Sequence, residues 1–338
     1  MVTIKDMAEM LGISTTTVSN VIHGRTKQVS PQTVERVQKL LDEYDYVPNI
    51  NARNLAQNQT RIIVVAIKTR KDKYPNVLAD PFFGELIGSV EAEIRRQGYF
   101  MMLYISNDIL DIMKYISSWN ADGLILIGML HDDFIRVRSK IKKPLVLIDS
   151  YVPEVIRSYV NVGLDDENGA YEVARYLLEN GHRRIAFLTD NMEGVDYFRY
   201  RGYLRALKDF GIEADEEDML IIRPGEEQEA SMREILSYAG AYTAFMVTSD
   251  YYAVLIANCL MDAGIRIPED LSITGYDNNM YSRVLRPTLT TVSQNVEDKG
   301  VTAVRCLLKL IGGETLEERD IRLPARLVIR DSVKNLNE

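Results

Sequence analysis

Two cysteines and three histidines in 338 residues leave little material for a disulfide framework or a metal site. Cys259 and Cys306 each fall within a predicted helix, so they are expected as reduced thiols serving as small core residues. His23 ends a predicted helix, His131 is expected in a loop, and His182 lies in a turn before a strand. None shares a spacing with carboxylates or cysteines, so neither a metal nor a catalytic dyad is expected. No run of eighteen apolar residues occurs, and Met1 leads into patterned sequence rather than a charged and then greasy leader. A soluble, cytoplasmic chain with no membrane partner is expected. The first strand is not followed by Gly-x-Gly-x-x-Gly, and neither a phosphate loop nor a nucleophile elbow is present. The enzymes and cofactors those devices serve are thereby set aside, and no cofactor is expected.

What is present begins at once. Residues 2–24, VTIKDMAEMLGISTTTVSNVIHG, spell two short helices around a tight turn. Ile4, Met7, Ala8 and Leu11 recur at helical spacing, Gly12 can take the positive φ that ends the first helix, and Ser14 can cap the second. Val18, Val21 and Ile22 make the inner face of the second helix. That leaves Thr15, Thr16, Thr17, Ser19 and Asn20 as small polar groups able to approach base edges and phosphates. The pattern predicts a DNA-binding helix-turn-helix, against the plainer alternative of a helical hairpin with solvated threonines.

A third helix follows from the Ser30-Pro31 cap and the repeat of Val34, Val37, Leu40, Leu41 and Tyr44. Pro48 stops what precedes it, and Asn49 can cap a further short helix over residues 50–58, too polar to form without a partner. The net charge of −9 sits elsewhere, because residues 1–60 hold six basic and six acidic side chains. Operator affinity is therefore expected to depend on dimer docking and specific contacts as well as phosphate neutralisation.

From Arg61 onward, short apolar runs (RIIVVAIK, YFMMLYIS, GLILIG, PLVLIDS, then RIAFLTD, MLIIRP, AFMVTSD, LSITGYD) alternate with amphipathic segments. Such alternation predicts parallel βαβ units in two similar α/β halves, with a boundary near residues 160–164. Ligands of open α/β sheets gather beyond the carboxyl ends of strands. There the sequence offers Asp277, Asp250 and Asp149, with Arg199 on a helix after FLTD. Carboxylates and a guanidinium in that setting suit a sugar or a nucleobase. Asp149 and Asp250 could equally cap neighbouring helices or loops.

Several motifs in fixed order carry a resemblance. They are Ile4-Lys5-Asp6-Met7-Ala8, Gly12-Ile13-Ser14, Thr17-Val18-Ser19, Tyr46-Val47-Pro48-Asn49 and Asn54-Leu55-Ala56, then Asp80-Pro81-Phe82-Phe83, Ala121-Asp122-Gly123-Leu124-Ile125, Gly181-His182-Arg183-Arg184-Ile185-Ala186, Arg201-Gly202-Tyr203, Gly275-Tyr276-Asp277-Asn278 and Pro287-Thr288-Leu289-Thr290-Thr291-Val292. Together they resemble the LacI/GalR family of bacterial repressors over nearly the whole chain. The resemblance implies an all-α helix-turn-helix headpiece (1–48), a hinge (49–60) and a periplasmic-binding-protein-like α/β domain (61–338). That domain would comprise two doubly wound parallel-sheet lobes, at about 61–162 with 293–322 and about 163–292 with 323–338.

On that resemblance, DNA contacts are expected from Thr3, Ser14, Thr15, Thr16, Thr17, Ser19, Asn20, His23, Asn49 and Ala52, with Leu55 as a minor-groove wedge. Effector contacts are expected from Asp277 and Arg199, with Phe82, Phe83, Tyr151, Ser249 and Gln294 in or beside the pocket and Asp149 and Asp250 nearby. The chain departs from the pattern at Asn20, where arginine is common, and at His23-Gly24 in place of Asn-Gly. Asn pairs with adenine where Arg favours guanine, so the operator half-site is expected to differ. Ser249 stands where some sugar-binding members carry asparagine.

The expected function is a repressor of a carbohydrate operon, controlled by a sugar or sugar derivative and bound to a pseudo-palindromic operator as a homodimer. The closing DSVKNLNE has no heptad repeat, which favours a dimer over a tetramer. A purine- or nucleoside-responsive regulator is the alternative. A secreted sugar-binding protein fits residues 61–330 but has no use for the headpiece.

Overall fold

The computed structural model describes residues 2–22, 24–46, 60–70, 73, 76–150 and 159–337, which form two compact units divided at residue 60. His23, Asn49, Ala52, Leu55 and Tyr151 lie outside the described residues.

In the first unit, α1 (Ile4–Leu11), α2 (Thr15–Ile22) and α3 (Pro31–Glu43) close over Met7, Ala8, Val18, Val21 and Val37. Each start is capped by a hydroxyl. The Thr3 Oγ1 accepts the Asp6 N–H at 3.2 Å while Asp6 returns the bond to the Thr3 N–H, a reciprocal capping box that holds the Asp6 carboxyl below its usual range. Ser14 accepts from the Thr17 N–H at 3.1 Å and Ser30 from the Thr33 N–H at 3.2 Å, with Pro31 at the first helical position. Gly12 ends α1 at φ 64°, a conformation costly for other residues. Tyr44, expected on the core face of α3, is instead exposed at its end, because the helix stops at Glu43.

The second unit holds two parallel sheets. The first has six strands in the order β11-β5-β4-β3-β1-β2: β1 (Ile62–Lys68), β2 (Phe100–Ser106), β3 (Gly123–Ile127), β4 (Leu145–Ile148), β5 (Val160–Leu164) and β11 (Asp320–Leu323). Alternate residues of β1 serve opposite faces, as period 2 requires. Ile63, Val65 and Ile67 pack under α4 (Pro81–Arg96) and α12 (Val296–Ile311), while Val64 and Ala66 pack under α5 (Ile109–Ser118) and α6 (His131–Lys140). His131 thus opens a helix rather than lying in a loop. The Asp132–Asp133 pair suits a helix start, and apolar Phe134 and Val137 are buried at helical spacing.

The second sheet runs β7-β6-β8-β9: β6 (Ile185–Thr189), β7 (Met219–Ile221), β8 (Ala244–Val247) and β9 (Ser272–Thr274). One face packs on α7 (Asp166–Glu179) and α8 (Gly194–Asp209), the other on α9 (Gln228–Ser237) and α10 (Asp250–Asp262). After a short α11 (Met280–Val284), β10 (Thr291–Ser293) leads back to the first lobe through α12 and β11, and β12 (Arg326–Val328) pairs antiparallel with β10. The chain passes from the first sheet to the second after Leu164 and again after Leu323. Strands β5 and β11 pair along their lengths inside the first sheet, and a boundary cannot split them. Cys306 is buried in α12 and Cys259 half-buried in α10, both as free thiols.

Candidate functional site

The carboxyl ends of β1, β3, β4, β6, β8 and β9 surround a cavity of about 800 Å³ between the two sheets. Its wall includes Phe82, Phe83, Asp149, Arg199, Ser249, Asp277 and Gln294, all expected there from the sequence. Backbone strain concentrates on it: Asp149 has φ 51° and Asp277 φ 120°, with Asn278 at 55° and Asn295 at 46° as their wall neighbours' next residues.

Arg199 is 6% exposed, and α8 aims it across α7. Its Nε donates to Asp166 at 2.9 Å, its Nη1 to the Thr248 carbonyl at 2.6 Å, and its guanidinium lies 3.8 Å over the Tyr276 ring. Burial opposes the charge, yet Asp166 and the surrounding acids hold it firmly cationic. Asp277 follows Tyr276 and accepts a hydrogen bond from the Gln294 amide. Burial, with the nearby Asp250 and Asp80 carboxylates, holds the Asp277 carboxyl well above the usual carboxylate range, and Arg199 acts against them.

Phe82 and Phe83 meet edge to face, centroids 5.3 Å apart, at the start of α4, whose first turn is capped by Asp80 through the Phe82 N–H at 2.8 Å. Ser249 caps α10 through the Tyr252 N–H at 3.3 Å and lines the cavity as well. Asp149 is neither a cap nor an open acceptor. Both its oxygens accept from the fully buried Lys299 ammonium at 2.8 and 2.7 Å, and the third ammonium bond goes to Gln294 Oε1 at 2.8 Å.

Asp250 does not belong to the cavity wall. It is fully buried, its Oδ1 accepting from the Thr291 hydroxyl at 2.6 Å and its Oδ2 from the Asn279 N–H at 2.9 Å. This carboxylate ties the loop after β9 to β10 and has no oxygen to spare for a ligand, so the structural alternative holds for it. Burial pushes its pKa up to about 7.

Sequence reasoning missed Lys299 and also a cluster crossing the mouth of the cavity. Arg70 and Lys73, following β1, reach Asp190, following β6, at 3.4 and 3.1 Å, and the Tyr252 hydroxyl donates to the same carboxylate at 3.0 Å. Despite burial, the two cations hold Asp190 below its ordinary pKa. Asp80 and Asp196 on the wall were also missed. Asp80 had a signal, since it stands directly before the Pro81-Phe82-Phe83 run whose aromatic residues drew attention.

On α2, Val18 and Val21 face the core, leaving Thr15 and Thr16 exposed and Ser19 and Asn20 half-buried. Three other expected DNA contacts are engaged locally. Thr3 serves the capping box of α1, and Ser14 and Thr17 share a 2.9 Å hydroxyl contact at the start of α2. Among the described residues no helix is long and apolar enough to cross a membrane.

Comparison with known proteins agrees with both parts. Residues 3–49 match the model for bacterial regulatory proteins of the lacI family, and residues 174–333 match the periplasmic binding protein-like domain. The transcriptional repressor PurR of Vibrio vulnificus (strain CMCP6) is 33% identical over 350 residues, covering all of both chains. The NTD biosynthesis operon regulator NtdR of Bacillus subtilis (strain 168) is 29% identical over 98% of this chain and all of its own. Among solved structures, the transcriptional regulator CelR in complex with cellobiose is 28% identical, with a TM-score of 0.73 over 98% of this chain and 100% of that one. A lac repressor dimer bound to operator shares the fold at a TM-score of 0.84 and 24% identity, over 98% and 99% of the two chains. A headpiece of this kind joined in one chain to a periplasmic-binding-protein-like domain defines a DNA-binding transcriptional repressor with a ligand-binding domain, not an enzyme. The chain belongs to the lacI family of bacterial regulatory proteins.

Proposed function

We propose that this repressor controls a carbohydrate-utilisation operon, binding a pseudo-palindromic operator as a homodimer and responding to a sugar or sugar derivative held in the cavity. The observation carrying this reading is that one cavity wall presents the Arg199 guanidinium, the Asp277 and Asp80 carboxyls and the Phe82 ring together. Vicinal hydroxyls donate to carboxylates, a ring oxygen accepts from a guanidinium, and the C–H face of a pyranose packs on an aromatic ring. CelR, similar along nearly the whole chain, was solved with cellobiose. Operator and effector binding are then linked, each altering the other's affinity by the same factor.

Base reading falls to Thr15, Thr16, Ser19 and Asn20 on the open face of α2, Asn20 being suited to adenine. An operator-selection experiment tests it: Thr16→Ala or Asn20→Ala changes the preferred base at one half-site position, at about 1–3 kcal/mol of discrimination. Unchanged preference in both variants removes α2 from base recognition. For the cavity, Asp277→Ala abolishes the effector's influence on operator affinity and leaves effector-free operator binding intact. Equal effector affinity in Asp277→Ala and wild type refutes the pocket assignment. The second reading, a purine or nucleoside effector, draws on the same Phe82 face, which a planar base can stack on. Hypoxanthine, guanine and adenosine therefore belong in the titration beside the sugars.

A further inference from the structure

The sign of charge around the cavity says more about the ligand than its size does. Four cations stand on the wall among the described residues, and each already has a carboxylate. Lys68 pairs with Asp133 at 2.5 Å, Arg70 and Lys73 with Asp190 at 3.4 and 3.1 Å, and Arg199 with Asp166 at 2.9 Å. None of those three partners is itself a wall residue, so each wall cation is held from behind, Arg70 and Lys73 sharing the one Asp190 carboxylate.

Six acidic side chains share the wall, and their situation is different. Asp149 is matched by Lys299, and Asp196 shares Arg199 at 3.7 Å while accepting from the Asn191 amide at 2.6 Å. Asp108 and Glu193 are exposed at the rim. Asp277 and Asp80 have no ion-pair partner among the described residues: Asp277 accepts only from the Gln294 amide, and Asp80, 6% exposed, only from the Phe82 N–H. Burial and the nearby Asp250 and Asp80 carboxylates make ionised Asp277 costly, Arg199 only partly offsetting them, so a cation placed beside Asp277 would be favoured.

A phosphate or carboxylate entering this site would meet excess negative charge and find every described donor cation already engaged. A cation would meet the opposite. We propose that the ligand is a polyhydroxylated molecule bearing a protonated amine, an amino sugar in chemical class, with its ammonium at Asp80 and Asp277 and its ring on Phe82. Sugar phosphates and sugar acids are excluded by the same charge. This narrows the sugar reading above and rests on it. Asp80 comes from the first lobe and Asp277 from the end of β9 in the second, so the ammonium also bridges the lobes and favours the closed cleft.

The experiment is calorimetry on the full chain at neutral pH with matched probes: D-glucosamine, D-galactosamine and D-mannosamine, their parent hexoses, their N-acetyl forms and the hexose 6-phosphates. At least one amino sugar binds about tenfold or more tighter than its parent and its N-acetyl form, and the phosphates give no binding heat. Asp80→Asn then removes most of that preference. Asn is an equally good helix cap, so α4 keeps its start while the charge is lost, and an unchanged melting temperature confirms that the fold survives. The proposal is overturned if a parent hexose, an N-acetyl form or a phosphate binds as tightly as the amine, if no amino sugar binds, or if Asp80→Asn keeps the full preference. Measuring operator affinity with the same probes separates the two claims. A neutral hexose that binds and alters operator affinity overturns the amine and leaves effector control standing. An amino sugar that binds without altering operator affinity does the reverse.

Discussion

The two lobes share a plan, parallel sheets covered on both faces, but they bring buried charge to the cavity by different routes. In the second lobe, Asp166 and Arg199 sit on consecutive helices α7 and α8 that pack tightly against each other, and the ion pair is a product of that local crossing. In the first, Asp149 waits at the end of β4 for Lys299, which arrives on α12 after 150 residues and a complete excursion through the other lobe. A locally built site survives if its helix pair forms; a site assembled across the sequence forms only once the chain has returned. The first lobe's cavity wall therefore depends on a single side chain in a way that the second lobe's does not.

Removing that side chain is the most severe way to test the difference. Lys299→Ala leaves Asp149 and Gln294 without their buried donor and is expected to cost about 3–5 kcal/mol, read as a drop in the urea midpoint. The double variant Lys299→Met with Asp149→Leu recovers most of it, because no charge is then left unpaired. If Lys299→Ala costs less than about 1 kcal/mol, the first lobe does not depend on the returning helix.

The next effect belongs to the second lobe and depends on pH. Asp250, held by Thr291 and the Asn279 N–H, has a folded pKa raised from 3.8 to about 7 by burial. Above pH 7 both folded and unfolded chains carry the ionised form, and the fold bears the full cost of the buried charge. As pH falls through 7 the folded state takes up the proton first, so this group's contribution rises until about pH 4, at about 1.4 kcal/mol per pH unit. His182 works in the opposite direction. Buried between Thr243 and the Lys334 carbonyl, its pKa is depressed, and stability is lost as pH falls below about 6.5. The difference in unfolding free energy between wild type and Asp250→Asn isolates the first group; a difference that does not change from pH 8 to pH 5 rules out the raised pKa.

What could be read from the sequence follows the same division between local and returning contacts. Helix caps at Ser14 and Ser30, the apolar strands and the strand-end positions of Asp149 and Asp277 are all local, and each was visible in its own neighbourhood; the Thr3 cap, equally local, was passed over in favour of a DNA contact. Lys299 was not, because Glu297-Asp298-Lys299 looks like the solvated face of a surface helix until α12 is laid on the first sheet. Arg70 and Lys73 were hidden for a related reason, as their partner Asp190 belongs to the opposite lobe. Asp250 was placed at the right strand end, with ligand contact and capping left equally open, and its oxygens serve Thr291 and the Asn279 N–H. Period and spacing locate a residue on an element without saying which of its oxygens the next loop will claim.

Glycines in the helices sharpen the contrast on a smaller scale. A Cβ on Gly202 of α8 would stand 2.1 Å from the Glu167 carbonyl and 2.8 Å from the Tyr171 nitrogen, both backbone atoms of α7 that cannot turn aside. Gly202→Ala should cost about 1–3 kcal/mol by forcing the helices apart, outweighing the roughly 1 kcal/mol gain in helix propensity. Gly88, inside α4 of the first lobe, has nothing within 4 Å of its would-be Cβ, so Gly88→Ala should stabilise by about 0.5–1 kcal/mol. Paired thermal melts decide it, and effects of the same sign would show that the two helix pairs are not packed differently.

The smallest effect concerns Ser249, where capping and ligand contact fall on one hydroxyl. Its Oγ accepts the Tyr252 N–H at the start of α10 while the residue borders the cavity. Ser249→Ala should cost about 1 kcal/mol of stability through the lost cap, and Ser249→Gly only a few tenths relative to Ser. The two variants thus differ in stability yet lack the same hydroxyl. If Ser249 serves the helix alone, both bind an effector as wild type does. If the hydroxyl also touches the ligand, both weaken binding by the same factor, on the order of tenfold for one hydrogen bond. A weakening that follows stability, large in Ala and slight in Gly, would instead show that the second lobe, like the first, holds its cavity wall through one side chain.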